Sequence, residues 1–345
     1  MAENKQIESI IEEIKSNLTG DFEKDKIYLN NKMEEYKENE NNIEILREIG
    51  RLMYSIMPED VKKKVDETIN SDLSIFDNAI EKAQIFIHDG ELDKAFELSK
   101  ELVDEYEKNG FEFKNDNESE YFCFEEPIEQ ILYIQFNEPE KEIRRNPYNY
   151  SLLFYLYGSL LVENGKIQEA KEALLKSKRW NPASTVTLFE LGETYKMLGE
   201  LEEFYNITKD AYKYIHRKKD LGRYYRNLGY YFIEKKEYET AANCYYYSKV
   251  YDKSESADQE LEYIYSITGE FEPTAQAWSE SIEKYEIPLT IHKDFLWITY
   301  NLGKKCFETE NYGMAMYYFN MFSEFREDDE VKKMMDKINE FTEKQ

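Results

Sequence analysis

The stretch Ser151–Ser184, SLLFYLYGSLLVENGKIQEAKEALLKSKRWNPAS, decides the fold. Its apolar residues predict two amphipathic helices with a tight turn between them. Glycines punctuate the first helix and its end, a small–large–small stripe runs along the second, and a proline closes the unit. In chain order, the residues that shape this predicted hairpin are Gly158, Gly165, Ala170, Leu174, Ser177 and Pro182.

The order and spacing of these residues resemble the tetratricopeptide repeat. The only departure is Tyr157, which stands where the family has Leu before the glycine. The resemblance implies an all-α fold, namely a tetratricopeptide-type helical-hairpin solenoid that winds as a right-handed superhelix. It also implies a binding scaffold. Because a single helix pair cannot bury its apolar stripe, neighbouring pairs must stack.

Glycines repeat the pattern downstream of this hairpin. Gly192 follows Gly158 by 34 residues, and Gly229 follows by a further 37. The next such residue is Gly303, 74 residues on, and this gap fits two repeats, one of them degenerate. A glycine at the helix crossing lets two backbones approach, so we expect all four glycines at the equivalent contact between antiparallel helices.

These repeats define the C-terminal part of the predicted organisation. We predict an array of about four repeats over residues 148–327, followed by a C-terminal capping helix over residues 328–345. The degenerate repeat is marked by Thr268-Gly269-Glu270-Phe271 and then by Trp278 and Ser281. The final helix places Val331, Met334, Met335 and Ile338 on one face, which is what the open end of a solenoid needs.

The N-terminal part follows the pattern less closely. Residues 1–70 predict an irregular helical region with a break near Thr19-Gly20 and a fourth helix that runs from Pro58 to Thr68. Residues 71–108 predict one tetratricopeptide-like helix pair that turns at Gly90. An acidic and aromatic segment follows over residues 109–147, with a short helix at Pro127–Gln135, and it is interpreted as a lid over a basic groove, a hinge or a packing element.

The overall charge excludes two classes of partner. Lys and Arg number 45 against 72 Asp and Glu, which gives a formal net charge of −27. Free nucleic acid and anionic membrane surfaces would both be repelled, because each is bound through clustered Lys and Arg. Cys123, Cys244 and Cys306 are far apart and imply no disulfide framework. Without a signal-peptide core near the N-terminus or an apolar membrane span, we expect a cytoplasmic protein.

One part of the chain is electropositive. Residues 144–226 hold 15 Lys or Arg and 10 Asp or Glu, a net charge of +5, which leaves −32 for the rest of the chain. We therefore expect the partner to be a protein or peptide, with an acidic or C-terminal carboxylate element that Arg could hold in a bidentate fashion. A family clamp for C-terminal carboxylates is incomplete here, because Tyr155 and Ser159 occupy its Lys and Asn positions.

The resemblance also implies which residues face the partner, because the first helix of each pair lines the concave face. The predicted groove is aromatic and locally basic. Its residues are Tyr155, Phe189, Lys196, Arg223, Arg226, Asn227, Tyr230, Tyr263, Trp297, Tyr300, Asn301 and Lys304.

No enzyme chemistry is predicted. The three histidines, His88, His216 and His292, lie in different repeats, and the sequence has no CxxC pair with metal-ligand spacing. Nucleophile-elbow, P-loop and dinucleotide motifs are also missing. We therefore predict no catalytic, cofactor or metal site, and a protein-interaction scaffold that binds a peptide or protein segment. The alternative is a peptide-gated cytoplasmic regulator, in which the N-terminal helical region and the array change arrangement on ligand binding.

Overall fold

The computed structural model describes residues 2–36, 43–109, 117–269 and 274–342. These residues are almost entirely helical, which confirms the predicted all-α class and helical-hairpin architecture. In the described ranges the helices are α1 (Ala2–Ser16), α2 (Phe22–Tyr36), α3 (Ile43–Ile56), α4 (Glu59–His88), α5 (Leu92–Asn109), α6 (Pro127–Asn137), α7 (Tyr150–Glu163), α8 (Ile167–Trp180), α9 (Thr185–Met197), α10 (Leu201–Tyr212), α11 (Lys218–Glu234), α12 (Tyr238–Tyr251), α13 (Glu255–Thr268), α14 (Ala275–Tyr285), α15 (Lys293–Glu308), α16 (Tyr312–Phe325) and α17 (Asp329–Thr342), and the strands are β1 (Ser119–Phe122) and β2 (Glu142–Arg145).

The chain forms two compact units. Unit 1 contains Met1–Cys123 and Pro139–Leu153, and unit 2 contains Phe124–Glu138 and Phe154–Gln345. The division therefore passes through the predicted insertion at residues 109–147. Residues 110–116 of that insertion, and Glu270 and Phe271 of the degenerate-repeat marker, lie outside the described residues.

Unit 1 begins with a small bundle of α1, α2 and α3. Ile11, Ile14, Leu29 and Ile49 are buried together in its core. The predicted break at Thr19-Gly20 is present. There the carboxylate of Asp25 accepts hydrogen bonds from the backbone N–H groups of Thr19 at 2.7 Å and Gly20 at 2.8 Å. These bonds satisfy donors that the interrupted helices leave open, and they lower the pKa of Asp25.

The predicted end of the fourth helix at Thr68 is wrong. Helix α4 is 30 residues long and runs from Glu59 to His88, so the predicted boundary at residue 70 lies inside it. No glycine or proline occurs between Pro58 and Gly90, so nothing in the sequence interrupts the helix. The predicted turn of this hairpin is confirmed, because Gly90 has φ +77° and Ala95 on α5 is fully buried.

The segment predicted as one insertion divides between the units. In unit 1, β1 pairs in parallel with β2, with Ser119 opposite Glu142 and Phe122 opposite Arg145. In unit 2, α6 has Ile128 and Leu132 fully buried in the main core. The short helix predicted at Pro127–Gln135 is therefore present, and it acts as a packing element of unit 2.

Polar contacts also attach α6 to helices of unit 2 that are distant in sequence. Glu129 accepts a hydrogen bond from Nδ2 of Asn181 at 2.9 Å, between α8 and α9. Tyr317 of α16 donates its hydroxyl to the carboxylate of Glu126 at 3.2 Å. Helix α6 thus joins the middle of the array to its C-terminal hairpin.

The repeat glycines of unit 2 lie where the periodicity predicts. A Cβ added at Gly158 or Gly303 would lie 2.8 Å from Leu174 or 2.5 Å from Phe319, each 16 residues further along the chain. Gly229 has the same relation to Tyr245, at 2.6 Å. The predicted contact between antiparallel helices is confirmed at these three positions.

Gly192 occupies the same crossing with more space. An added Cβ there would lie 3.6 Å from Ile207 and from Phe204, which is an ordinary van der Waals distance. The residue 16 positions further on is Thr208, which is smaller than the Leu, Tyr or Phe of the other repeats. The crossing is confirmed, but the close approach that excludes a side chain is not repeated at Gly192.

The spacing from crossing to turn is constant. A residue with positive φ stands seven positions after each of the four glycines and ends the first helix of the hairpin. These residues are Gly165, Gly199, Lys236 and Glu310. In the degenerate repeat the turn residue is Gly269, with φ +79°. Its second helix, α14, packs against α12, where Thr240 and Ser281 share a hydrogen bond at 3.0 Å.

Tyrosine hydroxyls fix the connection between α14 and α15. Tyr225 donates to the carbonyl of Pro288 at 2.5 Å, and Tyr251 donates to the carbonyl of Leu289 at 2.9 Å. Tyr212 donates to the carbonyl of Thr290 at 2.8 Å. The abundant tyrosines thus contribute both apolar area and the hydrogen bonds that an irregular backbone segment requires.

Helix α17 closes the C-terminal end of unit 2. Val331, Met334 and Ile338 are buried with Phe319 and Phe322 of α16. A helix is therefore present at the predicted position, and its apolar face packs against α16. In the described part of the chain, no helix combines the length and apolarity needed to span a membrane.

Candidate functional site

Helix α15 presents two different faces. His292 precedes the helix, and Nδ1 of the His292 ring accepts a hydrogen bond from the backbone N–H of Asp294 at 3.2 Å. Phe295, Ile298 and Gly303 face the core and are buried. The opposite side carries, at helical spacing, Lys293, Leu296, Trp297 and Tyr300.

The outer face of α15 forms one wall of an open groove. The groove has a volume of about 350 Å³, and it is named here the Trp297 groove. Phe322 of α16 contributes a buried ring whose centroid lies 5.9 Å from that of Tyr300. The residues that line the Trp297 groove are Lys293, Leu296, Trp297, Tyr300, Phe322, Arg326 and Asp328.

Trp297 is the most exposed aromatic residue of this lining, with 66% of its surface accessible to solvent. The other two tryptophans differ, because Trp180 is fully buried and Trp278 is half-buried. Asn301 donates to the backbone carbonyl of Trp297 at 2.7 Å, one turn away. An exposed indole in a concave surface can bury a large apolar area when a partner arrives.

A polar contact with α17 holds one side of the Trp297 groove. Tyr300 donates its hydroxyl to Glu330 at 2.8 Å, and the ammonium of Lys304 lies 3.2 Å from the same carboxylate. Both contacts lower the pKa of Glu330, and the bond to Glu330 raises the pKa of Tyr300. Tyr300 and Lys304, both predicted groove residues, are thus brought together by an acidic residue of the capping helix.

The charged residues that line the Trp297 groove differ in whether they have a partner within the protein. Asp328 accepts the backbone N–H groups of Glu330 at 2.9 Å and Val331 at 3.2 Å, so its carboxylate caps the first turn of α17. Lys293 and Arg326 are both exposed, and neither forms an ion pair with another residue of the described ranges. The lining therefore carries two cationic groups available to a partner.

The basic residues predicted in the middle of the array are already paired. Arg226 lies 2.9 Å from the carboxylate of Asp252, and its side chain is largely buried. Arg223 lies 3.9 Å from Glu193 and 4.0 Å from Glu190. Both guanidinium groups therefore already have carboxylate partners, of which Asp252 lies outside residues 144–226.

Lys196 and Tyr230 also interact with each other. The ammonium of Lys196 lies 4.1 Å from the centroid of the Tyr230 ring and 3.6 Å from Glu193. The ring of Tyr230 packs edge-on against the buried Phe204 at 5.4 Å. Tyr230 is therefore half-buried, as is Tyr155 on α7.

Two residues predicted to face the groove are buried instead. Phe189 is 1% exposed and Asn227 is 6% exposed, so neither reaches a partner in this structure. Helices α9 and α11 are covered by neighbouring helices on more than one side. Phe189 packs in the core beneath Arg223, and Asn227 approaches Thr208 of α10 at 3.4 Å.

The remaining predicted residue, Tyr263 of α13, is 50% exposed. The lining residues that were not predicted are Lys293, Leu296, Phe322, Arg326 and Asp328. Lys293 and Leu296 lie on the first helix of the hairpin, beside the predicted Trp297. Phe322 lies on the second helix of its hairpin, and Arg326 and Asp328 follow that helix. The family pattern gives the concave face only to first helices, so it contained no signal for Phe322, Arg326 and Asp328.

No catalytic constellation is seen in the described part of the chain. Within it, no group of three or more His, Cys, Asp or Glu side chains could hold a metal ion. Cys244 is fully buried, and burial raises the pKa of its thiol, which opposes formation of the reactive thiolate.

Comparison with known proteins gives structural similarities only. No protein-family model matches the sequence, and a comparison with curated proteins finds no match. A crystal structure of a tetratricopeptide repeat protein from Parabacteroides merdae is similar over 77% of this chain and 86% of that chain, with 17% identity and a TM-score of 0.38. The Cut9–Hcn1 hetero-tetramer of the APC/C is similar over 95% of this chain and 58% of that chain, with 10% identity and a TM-score of 0.40.

Proposed function

We propose that the chain is a non-enzymatic, cytoplasmic protein-interaction scaffold and that a peptide or protein segment of its partner binds in the Trp297 groove. The observation that carries this proposal is the exposure of Trp297. Two thirds of a large aromatic side chain remain in water, next to the buried ring of Phe322 and the partly buried Leu296. When an apolar partner covers such an indole, a large apolar area leaves water, and this burial contributes strongly to the free energy of binding.

The groove needs little reorganisation to receive a segment. Five of its seven lining residues belong to the helices α15 and α16, and Tyr300 is held by its bond to Glu330. Phe322 is fixed in the cluster that α16 and α17 share. A preformed wall lowers the conformational entropy that is lost on binding, so more of the contact energy appears as affinity.

The proposed surface extends along the array to Tyr263, the other exposed aromatic residue of the predicted set. Phe189 and Asn227 are excluded from it by their burial. Arg223 and Arg226 could contribute only after separating from Glu190, Glu193 and Asp252. The proposed contact surface is therefore centred on the last hairpin and the capping helix.

The test compares partners captured from a lysate of the native cell by three forms of the full chain. These are the wild type, Trp297→Ala and Val250→Ala, the last because Val250 is also an exposed apolar residue, at 69%, but lies on α12. We expect one set of proteins to be retained by the wild type and by Val250→Ala and to be lost with Trp297→Ala. Equal retention by all three forms would contradict the proposal.

A further inference from the structure

We propose that the Trp297 groove selects an acidic segment, in which Asp or Glu side chains flank a large apolar side chain. This inference rests on the proposed function and names the chemistry of the partner. It is based on the exposure and the ion pairing of the two cationic side chains in the groove. In a chain with 72 acidic and 45 basic residues, Lys293 and Arg326 both stay exposed and without an ion-pair partner in the described ranges.

Two carboxylates at the edge of the groove are engaged elsewhere. The carboxylate of Asp328 accepts two backbone N–H groups at the start of α17, where the helix dipole also favours a negative charge. Glu330 binds Lys304 and Tyr300. Neither carboxylate is therefore positioned to neutralise Lys293 or Arg326.

Binding changes the relative cost of leaving these cations unpaired. A partner side chain that covers Trp297 removes water from the groove and so reduces the hydration of Lys293 and Arg326. A neutral segment leaves both cations partly desolvated and unpaired, and a basic segment adds repulsion. Carboxylates of the segment replace the lost water with charge-assisted hydrogen bonds, which Arg326 can form in a bidentate manner.

The same reasoning disfavours the middle of the array as the site for an acidic partner. Arg226 already has a carboxylate at 2.9 Å, and Arg223 lies between two glutamates. An incoming acid would have to displace these internal partners. Lys293 and Arg326 have no carboxylate within ion-pair distance in the described ranges, so an incoming acid displaces no internal partner there.

The experiment uses the full chain labelled with 5-fluorotryptophan, observed by ¹⁹F NMR. The chain has three tryptophans, and Trp297→Phe identifies the signal of the exposed one. Three synthetic peptides are titrated, each with one central Phe. The first has Asp and Glu around it, the second has Asn and Gln at the same positions, and the third has Lys.

We expect the acidic peptide to shift the Trp297 signal saturably, and the Trp180 signal to stay unchanged. The Asn/Gln peptide is expected to bind about tenfold more weakly, and the Lys peptide more weakly still. The double variant Lys293→Gln/Arg326→Gln should bind the acidic and Asn/Gln peptides equally. Its matched control is Lys305→Gln, which removes an exposed lysine of α15 outside the groove and should keep the preference.

The outcomes separate this inference from the proposed function. Equal affinity of the wild type for the acidic and Asn/Gln peptides would overturn the acidic preference and leave the groove as a binding site. If no peptide shifts the Trp297 signal, both the preference and peptide binding in this groove are overturned. A Trp297 signal that shifts with protein concentration in the absence of peptide would show that a second copy occupies the groove, and this too would overturn the inference.

Discussion

Nε2 of the fully buried His216 lies 3.6 Å from Oε1 of Glu126, the residue that precedes α6. The other ring nitrogen, Nδ1, donates to the carbonyl of Tyr214 at 3.0 Å, so a protonated imidazole is compatible with both contacts. Burial alone would lower the pKa of His216, but Glu126 and the Tyr214 carbonyl together raise it. The close approach of His216 in turn lowers the pKa of Glu126 to about 2. This pair therefore joins α6 to the α10–α11 connection.

The attachment of α6 is expected to weaken as the pH rises. The stabilisation from His216 is fully present below its unfolded pKa of 6.5 and is lost as the pH passes its raised folded pKa. The stabilisation from Glu126 is present above its unfolded pKa of 4.5 and is lost only as the pH falls through about 2. The contribution of the pair is therefore greatest between pH 4.5 and 6.5. Urea unfolding should show Glu126→Gln less stable than the wild type by about 1 kcal/mol near pH 5.5, with a smaller deficit near pH 8.

Glu125→Gln provides a control, because this substitution should change the stability in the opposite direction to Glu126→Gln. Burial, followed by the charges of Glu129 and Glu126, raises the pKa of Glu125 from 4.5 to about 7. Its folded form thus holds a proton that the unfolded form has lost, and stability falls as the pH rises from 4.5 through 7. Glu125→Gln should therefore be more stable than the wild type near pH 8. A deficit of Glu126→Gln that stayed constant from pH 5.5 to 8 would contradict the role given to His216.

The glycine crossings are expected to differ in their tolerance of alanine. At Gly229 an added Cβ would lie 2.6 Å from the buried Tyr245 ring, so Gly229→Ala should destabilise unit 2 by about 1–3 kcal/mol. At Gly192 the nearest atoms are 3.6 Å away, and alanine has the higher helix propensity. Gly192→Ala should be neutral or more stable by about 0.5–1 kcal/mol. Urea unfolding followed by circular dichroism measures the free energy of unfolding of both variants. An equal loss of stability in the two variants would refute the difference between the crossings.

Helix α6 is expected to be part of the core of unit 2. Leu132 is fully buried there, whereas Ile134 on the same helix is largely exposed. Leu132→Ala should lower the free energy of unfolding by about 2–5 kcal/mol, and Ile134→Ala by less than about 1 kcal/mol. The measurement is again the urea transition. If Leu132→Ala unfolds at the same urea concentration as the wild type, α6 does not contribute to the core as described.

The electrostatic potential around Trp297 can be measured in the absence of a partner. Despite the net charge of −27, Lys293 and Arg326 should attract a small anion to the exposed indole. At low ionic strength, iodide is expected to quench the Trp297 fluorescence more efficiently than caesium, with Trp297→Phe as the reference for the other tryptophans. Lys293→Gln/Arg326→Gln should reverse this order. More efficient quenching by caesium in the wild type would show that the groove is not electropositive.

Much of the fold could be predicted from periodicity, because packing at a helix crossing restricts residue size. Gly158, Gly229 and Gly303 recur for a reason that the structure repeats each time, namely a large side chain 16 residues further on. The end of α4 could not be placed in the same way. No glycine or proline between Pro58 and Gly90 ends the helix, so α4 continues past Thr68 to His88 although the repeat pattern starts only at residue 71.

The candidate site could be predicted only in part. Trp297 and Tyr300 were identified because they lie on a first helix at exposed positions of the repeat. Phe189 and Asn227 obey the same rule, but neighbouring helices cover them. Whether an exposed position of one hairpin stays open depends on contacts between hairpins, and these are not encoded in the repeat. Arg326 was missed for the complementary reason, since it follows a second helix.

Photo-crosslinking in the native cell tests the central claim most directly. The benzophenone amino acid p-benzoylphenylalanine is placed at position 297 of the full chain and, as the control, at position 250 on α12. We predict that position 297 crosslinks to partner segments in which acidic residues flank a large apolar residue, and that position 250 does not. Equal crosslinking at the two positions, or segments at position 297 that lack acidic residues, would contradict the account.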